Sequence, residues 1–268
     1  MTVFLCEASV NGIFTGIYEA WASRLGHRNV RVATKKEIME LELFCEYREI
    51  ETKEEKAFKV ADSIKKKLGQ EIFETVYYST LSGKEGSADA IYRFLTIAFS
   101  EGRGCLEKFS HPYVYPVLER TRNVKKETQH YQGFLRFQEL SDGILFSEIR
   151  PENDLLVLLG EHFSDRFSGE NWIIYDVGRK KAAFHKKCTP FVIGEFLTEE
   201  ELKQLQGLQE LSEKEKQLQS LWEDFIDAVG IAERKNEKLQ KQLLPLRFRE
   251  FMREYKKKEE REFESLEY

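Results

Sequence analysis

Gly133-Phe134-Leu135-Arg136-Phe137-Gln138-Glu139-Leu140, the triplet Ser141-Asp142-Gly143, and Ile144-Leu145-Phe146-Ser147-Glu148-Ile149 follow one another in the middle of the chain. Two runs alternate on either side of an Asp-Gly turn, which is a hairpin pattern. Pro151 to Asp154 then opens a short helix with Leu155, Leu158, Leu159 and His162 on one face. Two more strands are predicted, Trp172 to Val177 and Ala182 to His185, joined by the turn Gly178-Arg179-Lys180-Lys181. The order strand, strand, helix, strand, strand implies an α+β fold: a central antiparallel sheet with flanking helices.

Towards the N-terminus, Thr2 to Glu7 reads as a strand. Phe14, Ile17, Tyr18, Trp21 and Leu25 then recur at helical spacing up to Gly26. One or two strands are expected between Val30 and Tyr47. Glu54 to Phe109 is helical text with a break at Gly83–Gly86, and His111 to Lys126 predicts one further helix. Beyond Phe196 the chain turns helical and heavily charged. Residues 199–227 carry nine acidic and three basic side chains, and residues 233–258 carry ten basic and four acidic. The expected organisation is an α+β core domain over residues 1–196, then a helical C-terminal region, 197–268, with acidic then basic halves.

The chain has 268 residues, 41% hydrophobic and 33% charged, which excludes a mainly disordered protein. With 42 Lys+Arg against 47 Asp+Glu the net charge is −5, so any nucleic-acid site must be a local patch. The four cysteines, Cys6, Cys45, Cys105 and Cys188, stand far apart, unlike a metal cluster or a disulfide framework. No secretory leader is read at the N-terminus, and no stretch approaches the roughly 18 apolar residues of a membrane span. A cytoplasmic protein with reduced thiols and no membrane partner is expected.

The basic tail is the most informative chemical feature. Arg234, Lys238 and Lys241 share one helical face. Beyond Pro245, Arg247, Arg249, Arg253 and Lys256 accompany an apolar stripe of Phe248, Phe251, Met252 and Tyr255. Such cationic faces can track phosphates by displacing counterions; the alternative is a solvated face paired with the acidic segment before it. Arg120, Arg122, Lys125 and Lys126 form a second basic patch. Arg136, read as a mid-strand residue beside Phe134, could hold a phosphate or stack on a base. Asp176 shares a strand face with Trp172 and Ile174, and needs a partner if buried. Arg136, Arg166 and His185 are the candidates, and a structural ion pair is favoured over a catalytic acid. No zinc-protease, deaminase, nucleophile-elbow or P-loop motif is present.

Glu127-x-x-His130-x-x-Gly133-Phe134-Leu135-Arg136-Phe137-x-x-Leu140-x-Asp142-Gly143 resembles the signature of a bacterial family of unknown biochemistry labelled "probable DNA metabolism protein". Pro151-x-x-Asp154, His162-Phe163-x-Asp165-Arg166-Phe167 and Trp172-Ile173-Ile174-x-Asp176 are similar to further blocks of it. So are Ile231-Ala232-x-Arg234-Lys235-Asn236-x-x-Leu239-Gln240 and Pro245-x-Arg247-Phe248. The resemblance spans nearly the whole chain, beginning around Gly12 to Trp21. Glu7-Ala8-Ser9-Val10-Asn11-Gly12 stands there in place of an Asp-Gly-Ser type turn. The resemblance implies a gene beside a radical-SAM protein that modifies or repairs DNA. Some members of the family carry an added uracil-DNA-glycosylase domain, which is not expected here. The radical-SAM cysteine run is missing, so any iron–sulfur cluster would belong to the partner and no cofactor is expected in this chain.

The leading expectation is a DNA-binding accessory of a radical-SAM enzyme in DNA repair or modification. Arg234, Lys238, Lys241, Arg247 and Arg249 would hold phosphates, and Arg136 and Trp172 would contact a base or the partner. Phosphate contacts serve RNA as well as DNA. One alternative is a metal-free enzyme acting on a damaged base, with Asp176, His185 and Glu127 as acid/base candidates. Another is a scaffold whose basic tail grips only an acidic partner protein.

Overall fold

The computed structural model describes residues 1–37, 42–195, 210–229, 236–252 and 255, with the side chains of residues 223 and 227 left aside. The chain divides into two compact units. The first comprises Met1–Glu127 with Glu152–Leu155, and the second Thr128–Pro151 with Leu156–Tyr268. The boundary expected after residue 196 falls on residues outside those described.

The first unit is built on a parallel three-stranded sheet in the order β2-β1-β3: β1 Thr2–Cys6, β2 Val30–Thr34 and β3 Glu46–Glu49. Parallel neighbours need a crossover, and α1 (Val10–Ala22) supplies it between β1 and β2. Ser9 caps that helix by accepting from the Gly12 N–H at 3.0 Å. A side chain at Gly12 would collide with the Glu7 carbonyl and its Cβ, so the tight entry into α1 requires glycine there. Helices α2 (Glu54–Leu68), α3 (Gln70–Thr80) and α4 (Ser87–Glu101) follow. Gly69, at φ 95°, makes the break between α2 and α3. Phe4, Ile13, Phe14, Ile64, Ile72 and Phe94 lie in one buried core that joins sheet and helices.

The second unit holds a five-stranded sheet in the order β4-β5-β6-β7-β8. Its strands are β4 Gln138–Glu139, β5 Leu145–Ile149, β6 Trp172–Asp176, β7 Lys181–His185 and β8 Val192–Glu195. The α+β class holds, and the order strand, strand, helix, strand, strand is present with β8 added at the edge. The wholly antiparallel reading needs correction: β5 and β6 run parallel, pairing Leu145 with Trp172 and Ile149 with Asp176. The helix between them, α6 (Leu156–Arg166), returns the chain to the same end of the sheet, as a parallel pair demands. Every residue of β6 is buried, as its central place dictates.

The opening hairpin also differs from its sequence pattern. Helix α5 runs from Tyr115 to Phe134, well past Lys126, and leaves only Gln138–Glu139 for the first strand. Arg136 therefore lies in the loop after α5 and not in mid-strand. The cause is non-local. His130, Tyr131 and Phe134 fall on one helical face, and the ring of Phe248 covers all three at centroid distances of 5.1, 5.0 and 5.6 Å. That burial favours helix where the local text alternates like a strand.

Candidate nucleic-acid interface

Two helices of the second unit lie towards the C-terminus, and Asn236 caps the later one by accepting from the Leu239 N–H at 3.0 Å. The two helices are α7 (Glu213–Val229) and α8 (Glu237–Leu243). Pro245 ends this run, and a single 3-10 turn, Leu246–Phe248, follows. Proline fixes φ and cannot continue the helical hydrogen-bond ladder, so the chain turns there. The turn places Phe248, 5% exposed, against the aromatic face of α5, and buries Met252 beside it.

This anchoring brings Arg247 to a small surface indentation of about 10 Å³ that Arg136 also lines. Phe134, Phe248, Phe251 and Glu148 complete its main walls. Both arginines are exposed. Arg136 donates to the carbonyls of Gly133 and Leu135 at 3.3 and 3.4 Å, long bonds that hold it loosely over the end of α5. The Arg247 guanidinium lies over the Phe248 ring at 4.8 Å. The indentation thus pairs two planar cations with aromatic walls, and one carboxylate, Glu148, tempers the charge. Nearby, Arg150 is bound to Glu250 at 3.1 Å.

The other tail residues separate by role. Lys238 and Lys241 are exposed on α8, a helix with no buried residue. Arg249 is half-buried: its Nε and Nη2 donate to the Leu244 carbonyl at 3.1 and 3.0 Å, and its guanidinium lies over Tyr255 at 4.4 Å. It braces the turn. Arg234 lies outside the described residues, so its shared face with Lys238 and Lys241 is left to the sequence. Within the second basic patch, Arg120 serves the first unit by donating to Ser87 Oγ, Pro116 O and Glu85 O. Its burial holds its pKa below the usual arginine value. Lys125 lies over the Tyr78 ring at 4.7 Å, while Arg122 and Lys126 stay exposed.

The acid/base candidates are structural in their placement. Asp176 is fully buried, and its Oδ1 accepts from the N–H groups of Gly178 and Arg179 at 3.0 and 3.1 Å. Its Oδ2 pairs with Arg179 Nη1 at 3.0 Å. The same nitrogen donates to the Pro151 carbonyl at 3.0 Å. The ion pair expected of Asp176 exists, but its partner is Arg179 and not Arg136, Arg166 or His185. The Asp-x-Gly-Arg order, an Asx-turn followed by a cation, was the overlooked signal. His185 is 5% exposed and lies flat on Trp172, ring centroids 4.9 Å apart at 7°. Its Nδ1 is 2.9 Å from the Glu170 carbonyl and so carries the proton.

Trp172 is itself fully buried, with no hydrogen-bond partner for its indole N–H among the described residues. In this conformation it belongs to the core and reaches no base. His185 pairs with Trp172, and Lys181 with Asp176, so His185 and Asp176 occupy opposite ends of the β6–β7 pair. Four strand steps, about 13 Å, separate them, too far for a shared proton. Glu127, 2% exposed in the first unit, accepts from the N–H groups of Glu152 and Asn153, both at 3.0 Å, and from Asn153 Nδ2 at 2.6 Å. Asn153 Oδ1 in turn accepts from the Gly83 N–H at 3.2 Å. Glu127 therefore fixes the Pro151–Asp154 turn.

A family model described as a domain of unknown function, DUF4130, matches residues 85–254. The chain belongs to that family. The match takes in α5, the five-stranded sheet and the Phe248 anchor. No curated protein matches the chain. Among the described residues no helix is long and apolar enough to cross a membrane.

Proposed function

We propose that the protein is a nucleic-acid-binding accessory in DNA metabolism, repair or modification, working beside a radical-SAM enzyme. The observation that supports this is the convergence of exposed Arg136 and Arg247 on one indentation walled by Phe134, Phe248 and Phe251. Guanidinium groups suit phosphates, and two of them side by side can hold adjacent phosphates of a strand. Lys238 and Lys241, exposed on the preceding helix, extend the cationic surface along the chain. The radical-SAM half of the reading rests on the signature blocks quoted above.

The test is a titration of the full-length protein against a labelled duplex and a labelled single strand over a salt series. Binding should weaken steeply as salt rises and be lost in an Arg136→Glu, Arg247→Glu double variant. Failure of the unaltered protein to bind either strand form at the lowest salt overturns the reading.

A scaffold that binds only the partner enzyme, through α7 and not through the basic tail, has an observation of its own. On α7, Leu218, Leu221, Trp222 and Phe225 are exposed at helical spacing, an apolar stripe suited to another protein. Capture of the radical-SAM enzyme without nucleic acid, lost in Leu221→Asp plus Phe225→Asp, would favour it.

A further inference from the structure

The first unit contains a cleft of about 460 Å³ between α1, α2 and α4. Its size lies within the usual range of small-molecule sites, about 300 to 1,000 Å³. Ile17, Tyr18 and Trp21 of α1 form one wall, Val60 of α2 another, and Leu95 and Phe99 of α4 the floor and far side. Trp21 and Phe99 meet edge to face, centroids 5.4 Å apart at 70°, and make an aromatic corner. Trp21 is nonetheless 37% exposed, so part of its indole is left for something else to cover.

The polar groups of this cleft are few and of one sign. Lys59, Ser63 and Lys67 lie four residues apart, so they line one side of α2. Of the neighbouring lysines, Lys56 is paired with Glu19, Lys66 with Asp62, and Lys65 lies over the Phe73 ring. Among the described residues neither Lys59 nor Lys67 makes an ion pair. Two uncompensated cations beside apolar and aromatic walls favour a ligand with an apolar body and an anionic head. A purely polar ligand would leave the walls wet, and a neutral apolar one would gain nothing from the lysines.

From this geometry we propose that the cleft binds a small amphipathic anion: an aromatic or acyl body carrying one carboxylate or phosphate group. The body packs against Trp21, Val60 and Phe99, and the head sits at the rim between Lys59 and Lys67, beside Ser63. The proposal is independent of the nucleic-acid reading, which concerns the second unit.

The test uses the full-length folded protein and the fluorescent anion 1-anilinonaphthalene-8-sulfonate. Saturable binding is expected, with displacement by decanoate or decyl phosphate; the stronger competitor identifies the head group. Lys59→Gln plus Lys67→Gln should weaken the anions several-fold to about tenfold and leave decanol unchanged, the scale of two partly exposed charge contacts. Ala22→Trp, a substitution at the exposed rim, should fill the cleft and abolish all binding. The proposal is overturned if the unaltered protein shows no saturable signal, if Ala22→Trp binds as well as it does, or if the double glutamine variant holds anions as tightly.

Discussion

Phe248 and Tyr131 meet edge to face, ring centroids 5.0 Å apart at 76°, across 117 residues of sequence. The contact ties the C-terminal turn to the last helical turns of α5, and through it Arg247 comes to line the same indentation as Arg136. Replacing Phe248 with Ala should cost about 3 kcal/mol, typical of a buried phenylalanine. It should also release Arg247. In urea unfolding the midpoint should fall, and a nucleic-acid titration of the still-folded variant should show weaker binding. Unchanged stability would mean that the ring is not seated in the core.

These two arginines make a second prediction, on the salt dependence of binding. Each neutralised phosphate contributes a slope of about −0.9 to log K against log salt, so Arg136→Gln plus Arg247→Gln should flatten the slope by about 2. Lys238→Gln alone should flatten it by about 1. A slope unaltered in the arginine variant would remove the indentation from the binding surface, even if binding persists elsewhere.

Much of the fold could be read locally because its causes are local. The alternation in Leu145–Ile149, the apolar run of Trp172–Tyr175 and the helical stripe of α1 are near-neighbour effects, whereas the break at Gly69 between α2 and α3 lies inside what reads as one helical stretch. The long reach of α5 was hidden because its aromatic face is covered by Phe248, whose distance along the chain no window spans. The parallel pairing of β5 and β6 was hidden too, since alternation gives the face of a strand but not its direction. At the site, Arg136 and Arg247 could be chosen by residue type. Trp172 misled because a large aromatic in a strand serves a core as readily as a surface, and its burial beside His185 decides for the core.

Asp176 and Glu127 should behave as structural carboxylates. Asp176→Ala removes the ion pair with Arg179 and the acceptor of two N–H groups, and should destabilise the protein by about 3 kcal/mol. Glu127→Gln keeps one acceptor oxygen and loses the charge behind three hydrogen bonds, for a cost of about 1 to 3 kcal/mol. Thermal unfolding measures both. If either substitution leaves stability unchanged while abolishing a measured activity on nucleic acid, the structural assignment falls and the catalytic one returns.

The last prediction concerns pH. Cys6 is buried at the end of β1, and that burial, reinforced by the charges of Glu37 and Glu7, pushes its thiol from 9.0 up to about 12. Tyr92 is pushed from 10.0 to about 12, again by burial first. Both groups keep their protons when folded and lose them more readily when unfolded. The unfolded state therefore binds fewer protons in this window, and stability must fall as pH rises. The decline should begin near the unfolded thiol value of 9.0 and continue towards about 12. Urea midpoints across that range should drop, and Cys6→Ala should remove the thiol's share and flatten the profile. A thiol reagent under native conditions should meanwhile modify exposed Cys188 and spare Cys6 and Cys105, which are buried. Identical pH profiles for Cys6→Ala and the unaltered protein, or rapid native modification of Cys6, would show that the first sheet opens more readily than its packing implies.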